Sequence, residues 1–265
     1  MLKIFQRLWQ VNWAEQWQYR ANLIMYLLYW LVSPVIYLAV WTSIAHNKGT
    51  VNGFTANDFI TYYMTLLIVD QITSNITLHI FAYKVQDGSL SSELIRPIHP
   101  MLTNTLVNNI AFKALTIMGL IPVWILLFFL FKPDFSGVTW QGIALSIPAM
   151  ILGFFVAFLL SGAITSVAFW TTRVWSISEF YFAVFLLFSG QFVPLKLMPT
   201  IIQEIAKYLP FQLSMYYPIQ LILGKLTTAE IVHGFVIGTV WLVISIFLFN
   251  WVWREGVKRY SAVGA

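Results

Sequence analysis

Long apolar stretches separated by short polar ones constrain the fold of this chain more than any other feature. About twenty mainly apolar residues in a helix are enough to cross the hydrocarbon core of a bilayer. Hydrophobic residues make up 59% of the chain and charged residues only 9%, which is unlike a soluble domain. The sequence therefore predicts an all-α polytopic membrane protein, a single transmembrane domain over residues 1–265 with six transmembrane helices. The predicted spans cover residues 22–44, 59–83, 103–131, 141–170, a fifth span containing 180–193, and 231–253.

The first twenty residues, 1–20, are too polar for a span. In this stretch Phe5, Trp9, Trp13 and Trp17 recur every four residues, with charged residues between them. That spacing places the aromatic rings on one face of a helix. It predicts an N-terminal amphipathic helix lying in the membrane interface. Packing of the Trp face against other helices is the alternative, and both arrangements can hold together.

Residues 194–224, after the fifth span, are mostly apolar but interrupted. The interruptions are Pro194, Pro199, Pro210 and Pro218. They leave pieces, 200–209 and 214–223, that are long enough only for short helices. Because the stretch is apolar yet too broken to span, it predicts a re-entrant outer helical hairpin between spans 5 and 6. Thr228 is the predicted N-cap of the last span.

Residues 85–100 form a polar segment between the second and third predicted spans. Asp87 or Ser89 can cap the start of a short helix there. Pro97 and Pro100 end it, because neither residue can continue the helical hydrogen-bond ladder. A short amphipathic helix between two spans suits the docking of a partner. A solvated loop is the alternative interpretation.

Asp70 lies near the middle of the second predicted span. In a continuous helix its face is shared by polar residues three, four and seven positions later, and by a tyrosine seven positions earlier. These residues are Thr73, Ser74, Thr77 and Tyr63. A carboxylate at bilayer depth is costly and usually faces a bundle interior or a wet cavity. The pattern predicts either a polar stripe on a transport path or a structural acid hydrogen-bonded to a neighbouring helix.

The distribution of basic residues predicts the orientation. With six spans, one side of the membrane holds only five of the 15 Lys and Arg residues. Those five are Lys48, Lys132, Lys196, Lys207 and Lys225. Since cytoplasmic loops carry the excess of positive charge, both termini and the 85–100 segment are predicted to be cytoplasmic. The net charge of +5 is thus a topology signal and does not indicate a nucleic-acid partner.

Motifs for catalysis or cofactor binding are absent from the sequence. Gly224-Lys225 is followed by Leu226 and lacks the upstream glycine of a phosphate-binding P-loop. The four histidines do not have zinc-ligand spacing, and no G-x-S-x-G motif occurs. The chain has no cysteine, which excludes disulfides and thiolate metal sites. We therefore expect a chain that binds no cofactor or metal and is not itself an enzyme.

Two groups of residues carry a family resemblance. Residues 87–97, with Gly88, Leu90 and the run Glu93-Leu94-Ile95-Arg96-Pro97, resemble the G-x-L…L-L-R-P segment after the second span of type-2 ABC transporter permeases. Residues 188–194, with Ser189-Gly190 and Pro194, and then 198–199 and 208–210, are similar to that family's S-G-x-x-x-P…L-P…L-P pattern. The basic ending, 255–264, is also similar. Gln191 and Asp70 depart from the family pattern and leave the substrate chemistry open.

The resemblance implies the membrane subunit of a bacterial ABC exporter in the inner membrane. A separate ATPase would bind ATP and Mg²⁺ and dock on the 85–100 segment, and a second permease, identical or paralogous, would form a dimer with this chain in the lipid. The residues implied in ATPase docking are Gly88, Leu90, Glu93, Leu94, Ile95, Arg96 and Pro97. The residues assigned to the translocation path are Tyr63, Asp70, Thr73, Ser74, Thr77, Ser189 and Gln191. Within the docking set, Leu90, Leu94 and Ile95 are expected to form an apolar face for a groove on the ATPase.

The substrate is expected to be amphiphilic, such as a drug, a lipid or a lipid-linked glycan, given the many aromatic residues. A different class of function is a proton-coupled secondary transporter or channel that uses Asp70. The sequence contains no visible inverted half-repeats, which weakens this alternative. A non-transporting membrane scaffold is a third possibility, and co-purification with an ATPase would favour the exporter.

Overall fold

The computed structural model describes residues 2–75, 77–171 and 174–260, without the side chains of residues 2–5, 20, 23, 78–80, 103 and 104. The side chain of Phe5 and the last residues of the 255–264 motif thus lie outside the described part. In the described residues the regular secondary structure is helical. The helices are α1 Leu2–Gln18, α2 Arg20–Lys48, α3 Ala56–Thr73, α4 Thr77–Gln86, α5 Leu90–Leu94, α6 Val107–Phe131, α7 Trp140–Ser166, α8 Val174–Phe188, α9 Thr200–Tyr208, α10 Tyr216–Ile222 and α11 Thr228–Val257.

The long helices run alternately between two ends of the molecule. One end carries α5 and is called the α5 end; the other carries α9 and α10 and is called the α9 end. At the α5 end the hydroxyl of Tyr260, just after α11, donates to the carbonyl of Gly88 at 3.0 Å. At the α9 end the start of α3 is joined to the start of α11 by the Asp58–Lys225 ion pair, at 2.8 Å. The end of α11 therefore lies at the α5 end, and so does α1, whose Asn12 accepts a hydrogen bond from Asn108 near the start of α6.

Four helical stretches are long and apolar enough to cross a membrane. They are Ile24–Lys48, Val107–Phe131, Trp140–Phe169 and Thr228–Val257. The fifth predicted span corresponds to α8, which has only 15 residues and ends at Phe188, so the expectation that helix continues to residue 193 is wrong. By length and composition alone, four helices are thus candidate membrane spans, and the count of six stays a prediction.

The second predicted span is not one helix. Its first part, α3, ends at Thr73, and Ser74 has the extended conformation φ −60°, ψ 158°. A separate helix, α4, begins at Thr77. The prediction of a continuous helix over 59–83 is therefore wrong. No proline or glycine causes the break; Ser74 and Asn75 are residues whose side chains compete with helical backbone hydrogen bonds.

Two helices begin at the α9 end with the same capping arrangement. Thr55 accepts a hydrogen bond from the backbone of Asp58, whose carboxylate accepts one from the Thr55 backbone in return. Thr227 and Glu230 do the same at the start of α11. The N-cap of the last span is thus Thr227 and not Thr228, because the reciprocal bond needs an acidic residue three positions after the cap.

Residues 194–224 fold into α9, α10 and short 3₁₀ turns, close to the pieces expected from the prolines. Backbone of this region packs directly on α7: a Cβ on Gly153 would collide with the carbonyl oxygen of Leu213, and one on Gly142 with that of Leu221. Glycine is required at both places, because any side chain would collide with backbone. A re-entrant position in the membrane remains a prediction.

The N-terminal helix α1 packs against the start of α6. Asn12 is buried, and its side-chain oxygen accepts a hydrogen bond from the Asn108 side chain at 3.0 Å. Trp9 and Trp13 stack with their ring centroids 5.5 Å apart, while Trp17 is 51% exposed. The contact with the body of the chain is thus made through Asn12, and the interfacial position of α1 stays a prediction.

Candidate functional site

The 85–100 segment begins with a tight turn. The Asp87 carboxylate accepts hydrogen bonds from the backbone and the hydroxyl of Ser89, at 2.9 and 2.7 Å. These bonds hold the pKa of Asp87 below its usual value. Gly88 has φ +82°, in the left-handed region that glycine adopts without strain. The short helix α5 follows directly, so Asp87 caps a turn and the expected helix is only five residues long.

The inner face of the segment packs into its own chain. Leu90 is fully buried together with Phe81 and Val85, and Leu94 packs against the same cluster. Glu93 is buried and pairs with Lys84 at 2.8 Å. The expectation that Leu90 and Leu94 form an outward apolar face is therefore wrong: the same amphipathic pattern fills the chain's own core.

The outer face of the segment is short and projects from the molecule. Ile95 is 87% exposed, the largest exposure among the large apolar side chains that the structure describes. Arg96 and Pro97 beside it are exposed as well. The backbone N–H of Arg96 closes the end of α5 by donating to the Glu93 carbonyl at 3.2 Å. The segment thus presents an apolar tip with an adjacent cation, while its inner face is held by the core of the chain.

The predicted polar stripe is buried inside the chain. Asp70 is 2% exposed, and Thr73 and Thr77 are inaccessible. Because the helix breaks after Thr73, Ser74 and Thr77 do not continue the face of Asp70. One carboxylate oxygen of Asp70 has no hydrogen-bond partner among the described residues. In this conformation these residues do not form a stripe on the outside of the chain.

Lys113 of α6 occupies the break in the second predicted span. Its ammonium donates to the carbonyl oxygens of Ile72, at 2.6 Å, and Gln71, at 3.4 Å. It also lies 4.6 Å from the ring centroid of Phe154 and interacts electrostatically with Asp70. The last carbonyls of a helix have no intrahelical partners, and Lys113 satisfies them. A lysine inside an apolar run was the sequence signal for this role, which the sequence analysis did not assign.

Tyr63 belongs to a different polar group from Asp70. Its hydroxyl donates to the Phe192 carbonyl at 2.7 Å, in the turn that follows α8. In the same turn the hydroxyl of Ser189 accepts a hydrogen bond from the Gln191 backbone at 3.2 Å. Ser189 is inaccessible and Gln191 is 7% exposed. The structure therefore brings Tyr63, Ser189 and Gln191 together, apart from the helix break.

Two further side chains hold this turn. The hydroxyl of Tyr62 donates to the Gly190 carbonyl at 2.8 Å. The indole N–H of Trp41 donates to the Phe192 carbonyl at 3.1 Å. Gly190 has φ +84°, and a Cβ there would lie 2.8 Å from the Tyr62 hydroxyl. The Ser-Gly-x-x-x-Pro motif thus forms a turn that aromatic donors of α2 and α3 fix through its carbonyl groups.

A site for a metal ion is not formed by the residues that the structure describes: no three His, Cys, Asp or Glu side chains converge there. Most of the polar groups described above bond to backbone carbonyls or to one another, with one oxygen of Asp70 as an exception. Their arrangement serves the shape of a helical membrane protein and the presentation of one projecting tip.

Comparison with known proteins identifies the family. Residues 22–264 match the family model described as ABC-2 family transporter protein. No curated protein matches the chain. The family match covers nearly the whole chain and includes both motif regions, and four helices are long enough to span a membrane. The chain therefore belongs to the ABC-2 transporter family and is a membrane permease subunit of an ABC transporter.

Proposed function

We propose that the chain is the permease of an ABC exporter that moves an amphiphilic substrate, such as a drug, a lipid or a lipid-linked glycan, out of the cytoplasm. A separate ATPase binds ATP and Mg²⁺ and hydrolyses the nucleotide. This chain binds no cofactor and contributes no catalytic group. The observation that carries the proposal is the projecting tip formed by Ile95, Arg96 and Pro97.

The tip suits a docking role because its base is fixed. Leu90 and Glu93 attach the segment to the chain's own core, so a push on Ile95 displaces the segment as a unit. An exposed isoleucine beside an arginine provides an apolar anchor and a charged rim for a groove on the ATPase. Such a contact converts motion of the ATPase into rigid-body motion of the permease. Gly88, Leu94 and Pro97 contribute by shaping the segment.

The orientation follows from the placement of charge. The N-terminal helix, the C-terminal tail and the 85–100 segment share the α5 end, where most arginines lie. By the positive-inside rule this end is cytoplasmic and the α9 end is outside, in the inner membrane of a bacterium. The helices run alternately between the two ends, which supports six crossings of the membrane. Four are made by the long apolar helices, one by α3 followed by α4, and one by α8. In this topology residues 194–224 form a re-entrant hairpin at the outer surface.

A second permease, identical or paralogous, completes the transporter. The long helices expose large apolar side chains, for example Tyr29 at 74%, Phe129 at 71% and Phe247 at 73%. Some of these exposed faces contact lipid, and others contact the second permease. The translocation path runs between the two permeases, and the buried polar positions assigned to it support its walls from inside the chain. Burial of Asp70 gives no support to a proton-coupled carrier.

Substitution of Ile95 tests the docking role. Ile95→Asp places an unpartnered charge in the proposed apolar contact, which costs roughly 2–4 kcal/mol at an interface anchor. We expect the variant to insert and fold normally, since the side chain touches little of its own chain, but to lose the co-expressed ATPase during purification.

Ile201 provides the matched control, because it is 74% exposed at the α9 end. Ile201→Asp makes the same chemical change at the opposite side of the membrane and should retain the ATPase. If both variants retain the ATPase as well as the wild type does, the 85–100 segment is not the docking site.

A further inference from the structure

The C-terminal tail returns to the 85–100 segment after the last span. After α11 ends at Val257, backbone bonds from Arg259 to the Gly256 carbonyl, at 2.9 Å, and from Tyr260 to the Val257 carbonyl, at 3.2 Å, turn the chain. The turn brings the Tyr260 hydroxyl to the Gly88 carbonyl at 3.0 Å. The last described residue thus bonds directly to the turn that begins α5.

The ring of Tyr260 is held in place by a second contact. It packs edge-on against Phe169, with centroids 5.7 Å apart, and Phe169 packs in the same way on Trp253 at 5.7 Å. A Cβ on Gly256 would collide with the Phe169 ring, so glycine permits this approach. The tail is therefore fixed to the ends of both α7 and α11, and its hydroxyl has a defined position.

The other end of the segment is attached to the same helix. The His99 ring lies 4.4 Å from the Trp253 ring and 5.6 Å from the Phe249 ring, centroid to centroid. Gly88 and His99, at the two ends of the proposed docking segment, thus both contact the last turns of α11 or its tail. The segment is connected to the last span as well as to α4, from which it continues.

We propose that Tyr260 is a positioning residue that straps the 85–100 segment to α11, so that displacement of the segment by the ATPase reaches the last span directly. This inference rests on the proposed docking function. The bond is made to the Gly88 carbonyl, which also accepts the Ser91 hydroxyl at 2.6 Å. Tyr260 therefore sets the angle at which α5 leaves the body of the chain.

Tyr260→Phe tests the strap, since it removes the hydroxyl and keeps the ring on Phe169. The chain has no cysteine, so Ile95→Cys gives a single site for a spin label on the tip of the full-length permease in lipid nanodiscs. Loss of one hydrogen bond should raise the ratio of mobile to immobile label about two- to tenfold. Tyr83→Phe, at a tyrosine 67% exposed on α4, should leave the label unchanged, as should Tyr260→Phe with a label at Ile201→Cys.

The assembled complex with the ATPase provides the functional readout. We expect Tyr260→Phe to retain the ATPase and the KM for ATP, since nucleotide binds on the other subunit, and to lower ATP turnover by a similar factor of about two to ten. Turnover equal to the wild type would overturn the coupling role. Unchanged label mobility would overturn the positioning role itself. The label measurement needs no ATPase, so its result is independent of whether Ile95→Asp supports the proposed docking function.

Discussion

Two helix ends in this chain expose backbone carbonyls within mainly apolar surroundings, and they are satisfied by different chemistry. At the end of α3, the ammonium of Lys113 reaches the carbonyls of Gln71 and Ile72. After α8, the neutral donors of Tyr62, Tyr63 and Trp41 reach the carbonyls of Gly190 and Phe192. A hydrogen-bond donor is needed in both places, because a carbonyl group in an apolar region has no water to bond to.

The two kinds of donor place different requirements on the rest of the chain. A cationic donor makes stronger hydrogen bonds, but a charge away from water needs a counter-charge. Asp70 interacts electrostatically with Lys113, so we expect Asp70 to be its counter-charge. Neutral aromatic donors need no counter-charge and also fill volume. The first helix end therefore depends on one charged side chain, while the turn after α8 divides its bonds among three independent side chains.

Lys113→Met gives the largest expected effect. It removes the donor to two carbonyls and leaves Asp70 without its cation, so we expect a loss of roughly 3 kcal/mol in the free energy of unfolding. Thermal unfolding of the purified protein in detergent measures it. The double variant Asp70→Asn, Lys113→Met should be more stable than Lys113→Met alone, because it no longer buries an unpaired charge.

Lys258 is the control for that experiment, because its side chain is 67% exposed and pairs with Glu255 near the end of α11 at 2.6 Å. Lys258→Met should change stability by less than about 1 kcal/mol. If the double variant is no more stable than Lys113→Met, the lysine acts through its carbonyl bonds alone and Asp70 is not its counter-charge.

Tyr62→Phe and Tyr63→Phe test the hydrogen bonds that neutral donors make to the turn after α8. Tyr62→Phe leaves the buried Gly190 carbonyl without its donor and should cost about 1–2 kcal/mol. Tyr63→Phe should cost less, about 0.5–1 kcal/mol, since Trp41 still donates to the Phe192 carbonyl. Tyr29→Phe, at a side chain 74% exposed, is the control and should be neutral. Equal losses for Tyr62 and Tyr63 would show that Trp41 does not share the Phe192 carbonyl.

The sequence predicted the helical membrane class, the short helices after the fifth span and the polar segment after the second, because apolar length and proline positions are local signals. It did not predict the break at Ser74 and Asn75. A Ser-Asn pair within an apolar run is compatible with a helix, and the carbonyls at the break accept hydrogen bonds from Lys113, about forty positions later in the chain. The donor and its acceptors come together only through packing of α3 on α6.

The 85–100 segment illustrates the same limit. Its amphipathic pattern was visible, but a pattern does not say which body of protein covers the apolar face. Leu90 faces the chain's own core because α4, α7 and α11 supply Phe81, Phe158 and Trp253 there. The contact of Tyr260 with Gly88 joins residues 172 positions apart. Only the fold shows that the tip left for a partner is Ile95.

The smallest expected effect concerns the exposed ion pair at the α9 end, which contrasts with both buried sites. Burial alone raises the pKa of Asp58, but hydrogen bonds from Lys225 and Thr55 outweigh it and hold the pKa below its usual value. Because the folded-state pKa is lower than the unfolded one, the stabilisation is complete above about pH 4 and is lost as the pH falls through the folded-state pKa.

Asp58→Asn should therefore cost at most about 1 kcal/mol at pH 7 and less at pH 3. Unfolding temperatures of the wild type and the variant, measured at both values, check this prediction. A difference between the two proteins that grows on acidification would contradict the sign of the pKa shift.

Site-specific crosslinking tests the central claim, that the tip at Ile95 contacts the ATPase. The cysteine-free chain allows a photoreactive probe to be attached at Ile95→Cys alone, or at Ile201→Cys as the matched control, in the complex assembled in membranes. We predict a crosslink between the ATPase and the probe at position 95 that changes in yield when ATP is added, and none from position 201. A probe at position 95 that crosslinks only to lipid or to its own chain, with ATPase present and active, would contradict the account.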